Sequence, residues 1–236
     1  MLSECSFAAC SALFLKYDIT LNENQYAKLQ KYAEMLVDES TRQNVTAVRT
    51  CPDIWVRHFL DSAYLLRFLP DSGSILDIGT GGGIPAIPLA ILKPELSVTM
   101  LDSELRKIEF CSSVISALDL PAKAICGRAE ELARSDAYCE QFDFVVSRAM
   151  ASGSMLSELG VPFLKVGGNL ISMKGRTYDP AAERFESAAK ALCCALLPVY
   201  QYQLEGEIKH LIFIHKDAVT PAQYPRRFAK IKRSPL

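Results

Sequence analysis

Ile75-Leu76-Asp77-Ile78-Gly79-Thr80-Gly81-Gly82-Gly83-Ile84-Pro85-Ala86-Ile87-Pro88-Leu89-Ala90 opens as a strand and closes as the start of a helix. Between the two lie Gly79 to Gly83, five residues of which four are glycine. Such a turn lets the backbone bend sharply and approach a ligand with no Cβ in the way. The N–H groups of the helix start are then aimed at that ligand. Glycine-rich turns are common, so the surrounding chain has to say what is held.

Downstream, strand-like and helical patterns alternate. Ser97–Leu101 reads as a strand, and Ser103 can cap a helix from about Glu104 to Leu118. Lys123–Cys126 and Phe142–Val146 follow as strands, with a short helix or loop between them. A helix over about Met155–Phe163, a turn at Lys165–Asn169, a strand Leu170–Met173 and a helix over about Pro180–Leu192 continue the series. Val199–Leu204 and Lys209–His215 flank Glu205-Gly206-Glu207 and read as an antiparallel hairpin. Short βα repeats imply an α/β fold with a mostly parallel, Rossmann-like sheet covered on both faces. The closing hairpin adds an antiparallel edge.

Upstream, the chain reads as helical. Tyr26, Leu29, Tyr32, Ala33, Leu36 and Val37 mark one apolar helix face, which Asn22 can cap. A second helix is expected from about Pro52 through Phe68, with Arg57, His58 and Asp61 on its polar positions. The organisation expected is one domain overall. Residues 1–70 form an N-terminal helical extension packed on the core, 71–217 the Rossmann-like core, and 218–236 a basic C-terminal tail.

Half of the 236 residues are hydrophobic and the net charge is −1, so a sizeable core is available and nothing drives the whole chain towards nucleic acid. The distribution is uneven: from Lys209 to Leu236 there are seven Lys/Arg against the single acid Asp217. Such an excess suits a polyanionic partner, or is simply a solvated tail. None of the eight cysteines has a two-residue spacing, and the three histidines make no HExxH, so no metal site is expected. Reduced cysteines fit the cytoplasm. The apolar patch Phe7–Leu15 lacks the charged start of a signal peptide, and no run reaches the roughly 18 apolar residues of a membrane span, so no membrane is expected.

In open α/β sheets the ligand sits beyond the carboxyl ends of the strands. Gly79–Gly83, Asp102, Ala129-Glu130, Ser147-Arg148 and Lys174-Gly175 all fall at such ends. Asp102 lies 19 residues past Gly83, where an acid can accept both ribose hydroxyls of a nucleoside cofactor; its other reading is a helix cap. Two cofactors suit this geometry, a dinucleotide and S-adenosylmethionine. Asp77 just before the turn is poorly placed beside a pyrophosphate and better placed beside an ammonium group, which favours methyl transfer over hydride transfer. Asp77 can equally support the glycine-loop amides from beneath. A nicotinamide-dependent oxidoreductase and a non-catalytic RNA-binding ribosome-assembly factor are the alternatives.

Asn44-Val45-Thr46-Ala47, Arg57-His58-Phe59-Leu60-Asp61-Ser62, Ile75 to Pro88, Leu101-Asp102-Ser103, Arg128-Ala129-Glu130, Ser147-Arg148-Ala149 and Tyr224-Pro225-Arg226-Arg227 occur in this order. Together they resemble the RsmG family, also called glucose-inhibited division protein B, over nearly the whole chain. The tail after Arg227 departs from it in lacking the Gly-x-Pro element of many members. The resemblance implies a class I methyltransferase fold, S-adenosylmethionine as donor, and a guanine N7 of 16S ribosomal RNA, or of the small ribosomal subunit, as acceptor. It places the cofactor against Gly79, Ile84, Ala129, Glu130 and Arg148, with Asp102 on the ribose; Asp77, Gly81 and Gly83 complete the cofactor set. No obligatory catalytic base is expected. Asn44, His58 and Asp61 are candidates for the acceptor side, or for pinning the N-terminal helices to the core. Arg148, Lys174, Arg176, Arg226, Arg227, Lys230, Lys232 and Arg233 are candidates for RNA phosphates. Removing residues 224–236 is expected to weaken RNA binding and spare the cofactor. The protein is expected to be a monomer.

Overall fold

The computed structural model describes residues 5–43, 45–48 and 50–236. α1 (Phe7–Leu15) starts at Ser6, whose hydroxyl accepts the Ala9 N–H. α2 (Glu23–Glu39) starts at Asn22 as expected. The Asn22 side chain accepts the Gln25 N–H at 2.9 Å, and the Gln25 side chain accepts the Asn22 N–H at 3.0 Å. Two backbone donors that the first turn would leave orphaned are thereby satisfied. Pro52 stands in the first turn of α3 (Cys51–Ile54), but the helix does not remain α. A π-helical turn, Trp55–Leu60, follows, then α4 (Asp61–Ala63) and a 3₁₀ turn, Tyr64–Phe68. No residue pattern marks that change of pitch, and π turns gather at functional sites.

The core alternates strand and helix: β1 (Gly73–Ile78), α5 (Ala86–Leu92), β2 (Leu96–Asp102), α6 (Leu105–Leu118), β3 (Ala122–Cys126), α7 (Ala129–Leu132), β4 (Phe142–Arg148), α8 (Gly153–Gly160) and β5 (Leu164–Lys174). α9 (Pro180–Glu183), α10 (Phe185–Ala191), β6 (Cys194–Leu196), β7 (Tyr200–Leu204), β8 (Glu207–Lys216) and α11 (Phe228–Arg233) complete it. The sheet order is β3-β2-β1-β4-β5-β8-β6, with β7 also beside β8. β1 to β5 are parallel, and β8 is antiparallel to β5. Strand order reverses between β1 and β4, which is where a crevice opens at the strands' carboxyl ends.

Alternation along the strands sorts side chains onto two faces. Ile75 of β1 and Val146 of β4 join a cluster with Phe14, Leu29, Trp55 and Ile87, so the N-terminal helices, α5 and α6 cover that face. Leu76, Ile78 and Val145 join Leu156, Phe185 and Ile212 on the other face. Arg148 follows Val146 by two, and Asp77 follows Ile75 by two. Both therefore point to the face carrying the N-terminal helices.

The structure corrects several expectations. Lys165–Asn169 is strand, not turn: β5 runs unbroken from Leu164 to Lys174. The glycines serve a close approach instead, since a Cβ on Gly168 would sit 2.8 Å from the Asp143 carbonyl beside a register shift in β4. Ser103 does not cap α6; Glu104 occupies the cap position without a side-chain bond, and Asp102 accepts the Glu104 N–H at 3.0 Å. The Pro180–Leu192 helix is broken at Arg184, which adopts φ 55°. β6 is an additional short strand, completing the outer edge. Within residues 218–236, Pro225 is buried and Ile231 of α11 is fully buried. The Arg226 guanidinium lies on Glu158 of α8 through Nε–Oε1 at 2.7 Å and Nη2–Oε2 at 2.5 Å, and its own N–H adds a third bond at 2.9 Å.

Candidate active site

A cleft of about 560 Å³ opens above β1, β2, β3 and β4, within the size range of small-molecule sites. Its floor is the glycine turn, because β1 ends at Ile78 and the backbone must leave the sheet. Gly79 and Thr80 donate their N–H groups to the Leu101 carbonyl at 2.8 and 3.1 Å, which holds the turn against β2. From the other side, Tyr32 of α2 donates its hydroxyl to the Gly82 carbonyl at 2.6 Å. Gly81 has φ +57°, and an added Cβ would meet only the Gly79 carbonyl at 4.0 Å. The position is bare and faces open space, which is a cradle that any side chain would fill.

Asp102 lines this cleft at the end of β2. One carboxylate oxygen accepts the Gly81 N–H and the other the Glu104 N–H, both at 3.0 Å. Each oxygen keeps a lone pair, so the fixed carboxylate can still accept two hydroxyl groups. The cap reading and the ribose reading of Asp102 are therefore compatible. Gly79, Gly81, Ile84, Ala129, Glu130 and Arg148 also line the cleft. Gly83 is not at its surface and carries the turn into α5.

Asp77 does not line the cleft. It is fully buried beneath the glycine turn, and its Oδ2 accepts the Thr80 hydroxyl at 2.7 Å. Burial pushes its pKa up to about 7, against the pull of the Thr80 hydroxyl. It supports the turn from below.

The rest of the cleft wall comes from distant parts of the chain, with Val45 lying against Gly82 of the turn. Val45 and Thr46 approach from the N-terminal region, Met150 and Met155 from beyond β4, and Phe228 from α11. Arg148 is held between these parts. Its Nη1 donates to the Arg57 carbonyl at 2.7 Å and reaches Asp61 Oδ2 at 3.4 Å, while its Nη2 meets His58 Nδ1 at 3.0 Å. Asp61 also accepts the Tyr202 hydroxyl at 3.0 Å, which ties the π-turn region to β7. His58 and Asp61 are buried behind Arg148 and do not line the cleft. Burial, and then the Arg148 charge, hold the His58 pKa down to about 3, so the ring is neutral. Asn44 lies outside the described residues. The next residue after Arg148, Ala149, takes φ 58°, the left-handed conformation that non-glycine residues rarely adopt.

The basic candidates separate into two sets. Lys174 is tied to Glu183 at 2.9 Å and to the Ala151 carbonyl at 3.0 Å, and Arg226 is tied to Glu158. Arg176, Arg227, Lys230, Lys232 and Arg233 are exposed. Phe228 of the tail lines the same cleft as the glycine turn and Asp102. Phe228 was open to discovery in the sequence as the one aromatic residue in the run from Arg226 to Leu236. Thr46 and Met150 gave no such signal. Among the described residues there is no group of three His, Cys, Asp or Glu that could hold a metal ion.

The parallel order β3-β2-β1-β4-β5, the antiparallel β8 and the glycine turn beside an acid at the end of β2 define the fold of class I S-adenosylmethionine-dependent methyltransferases. Solved structures agree on the fold. M. jannaschii TYW2 in complex with AdoMet aligns with TM-score 0.53 at 14% identity, over 66% of this chain and 74% of that one. A branched-chain polyamine synthase mutein from Thermus thermophilus aligns with TM-score 0.57 at 12% identity, over 80% of this chain and 64% of that one. Residues 25–211 match the family GidB, rRNA small subunit methyltransferase G. Ribosomal RNA small subunit methyltransferase G of Clostridium kluyveri is 38% identical over 225 residues, covering 93% of this chain and 94% of the relative. That of Leuconostoc citreum is 35% identical over 224 residues, covering 92% and 94%. The chain belongs to the rRNA small subunit methyltransferase G family. The oxidoreductase alternative is not favoured.

Proposed function

We propose that the protein methylates N7 of a guanine in 16S ribosomal RNA, using S-adenosylmethionine bound on the glycine turn. The observation that carries this reading is the Gly81–Asp102 pair, a bare backbone position and a fixed carboxylate in one cleft. Asp102 would hold the ribose hydroxyls, the turn and Ile84 the methionine and adenosine parts, and Ala129 and Glu130 the adenine side. When bound, the cofactor supplies an activated methyl group. Guanine N7 already presents a lone pair, so the chain's work is alignment and exclusion of water, not removal of a proton. Alignment alone contributes roughly 7–11 kcal/mol in favourable cases. No side chain of the cleft is needed as a base.

The acceptor side lies between the end of β4 and the Thr46 segment. Arg176, Arg227, Lys230, Lys232 and Arg233 would contact phosphates, giving affinity that falls as salt rises. Arg226 and Lys174 hold the fold in place around them. If the target base is stacked or paired, exposing it costs a few kcal/mol. No described helix is long and apolar enough to cross a membrane, and we place the reaction in the cytoplasm, where the small subunit is. Mapping N7-methylguanine in 16S ribosomal RNA from cells with and without this protein tests the assignment. Loss of one modification in the deletion, restored by the purified protein with S-adenosylmethionine, is the expected result. Bound cofactor with no methyl transfer to any ribosomal RNA would support the assembly-factor reading instead.

A further inference from the structure

The hydrogen atoms behind the cleft wall can be assigned from donor and acceptor chemistry. An arginine guanidinium has only donors. His58 Nδ1, 3.0 Å from Arg148 Nη2, must therefore be an unprotonated acceptor. His58 Nε2 then carries the proton of the neutral ring and donates it to Thr46 Oγ1 at 2.7 Å. The same Thr46 oxygen accepts the Val48 N–H at 3.0 Å. A hydroxyl oxygen has two acceptor lone pairs, and both are now in use. The Thr46 O–H hydrogen is left to donate, and among the described residues it meets no acceptor. Thr46 itself lines the cleft, next to Val45, which lies against Gly82 of the glycine turn.

We infer that the Thr46 hydroxyl is a one-way hydrogen-bond donor that selects the acceptor base by its 6-carbonyl, a specificity role that rests on the guanine-N7 reading above. Guanine places O6 beside N7 on the same edge, and both are acceptors; adenine places an amino donor there instead. A fixed donor next to the methylated nitrogen accepts the first and repels the second. A neutral hydroxyl also withdraws less electron density from the attacking ring than an ammonium would. The line Arg148–His58–Thr46 thus fixes the direction of the last hydrogen bond, with Arg148 and His58 as positioning residues and Thr46 as the group that touches substrate.

The test uses the full chain, S-adenosylmethionine, and reconstituted small subunits whose 16S RNA carries either guanine or 2-aminopurine at the methylated position. 2-Aminopurine keeps N7 and the 2-amino group and lacks O6. The wild type is expected to favour guanine by about 10- to 100-fold in kcat/KM. Thr46→Val, nearly equal in shape, is expected to lose the same factor on guanine and little on 2-aminopurine, while Thr46→Ser keeps the wild-type preference. Equal wild-type rates on the two bases overturn the proposal without any variant. So does a Thr46→Val loss of the same size on both substrates, since Thr46 would then only hold His58 in place. A wild type that binds cofactor and leaves the guanine unmethylated overturns the functional reading itself, and this proposal with it. Failure confined to the base comparison overturns this proposal alone.

Discussion

The two halves of the cleft are built in opposite ways. The donor half is local: Gly79 to Gly83, Asp77 beneath them and Asp102 beside them come from one β-turn-α unit and the next strand. Its defining tie, the Gly81–Asp102 bond, spans 21 residues, and the Tyr32 hydroxyl braces the Gly82 carbonyl from 50 residues away. The half proposed above for the acceptor is assembled from afar. Arg148 meets His58 across 90 residues, Tyr202 meets Asp61 across 141, and Arg226 meets Glu158 across 68. A local half depends on backbone conformation, which one side chain can destroy. A distant half depends on buried polar pairs, whose loss is felt first as stability.

The largest effect is expected at the donor half. Gly81→Val puts a β-branched side chain at φ +57° and fills the bare position facing the cleft. Cofactor affinity is expected to fall by about a thousandfold or more, by calorimetric titration. Circular dichroism should remain that of the wild type, because an added Cβ meets no packed side chain. Normal cofactor binding by this variant would break the comparison, since the donor half would then not rest on the turn.

The acceptor half should fail differently. Glu158 is fully buried and its charge is satisfied by three bonds from Arg226. Glu158→Gln keeps the volume and leaves the arginine half-paired, a change of about 3 kcal/mol in unfolding free energy. Urea unfolding measures it. Because α11 then loosens, Phe228 should leave the cleft wall and weaken the cofactor as well. A variant of wild-type stability would mean that the tail docks through α11 alone.

This difference also explains what could be read from the sequence. The parallel sheet, the glycine turn and Asp102 were legible because their signals are periodic or local. Asn22 was legible as a cap for the same reason, its partner Gln25 being three residues away. Ser103 is not the cap because α6 starts one residue later than its pattern suggests, at Leu105, which puts Glu104 at the cap position. Lys165–Asn169 looked like a turn because its glycines carry no mark of whether they bend the chain or let another strand come close. The pairing of Arg226 was not legible because a charge run does not reveal a buried carboxylate 68 residues away. The role of Thr46 is hidden in the sequence, since the direction of its O–H follows from Arg148 and His58, which only folding brings together.

A subtler effect sets the two halves against each other directly. Asp77, of the donor half, has its folded pKa raised from 3.8 to about 7. The folded chain keeps a proton that the unfolded chain releases, so this group's contribution falls as pH rises from about 4 to about 7. His58, of the acceptor half, has its folded pKa lowered from 6.5 to about 3. Here the unfolded chain takes up a proton that the folded chain refuses, so stability falls as pH drops through the same window. Each slope approaches about 1.4 kcal/mol per pH unit, and their signs oppose. The wild type should therefore show a shallow profile from pH 6.5 to 5. Asp77→Asn should expose the histidine slope and lose about 2 kcal/mol over that interval, and His58→Gln should expose the aspartate slope and gain about as much. Urea midpoints at the two pH values give both signs. Parallel profiles for the two variants would show that the carboxyl beneath the turn and the imidazole behind Arg148 do not titrate as oppositely placed groups.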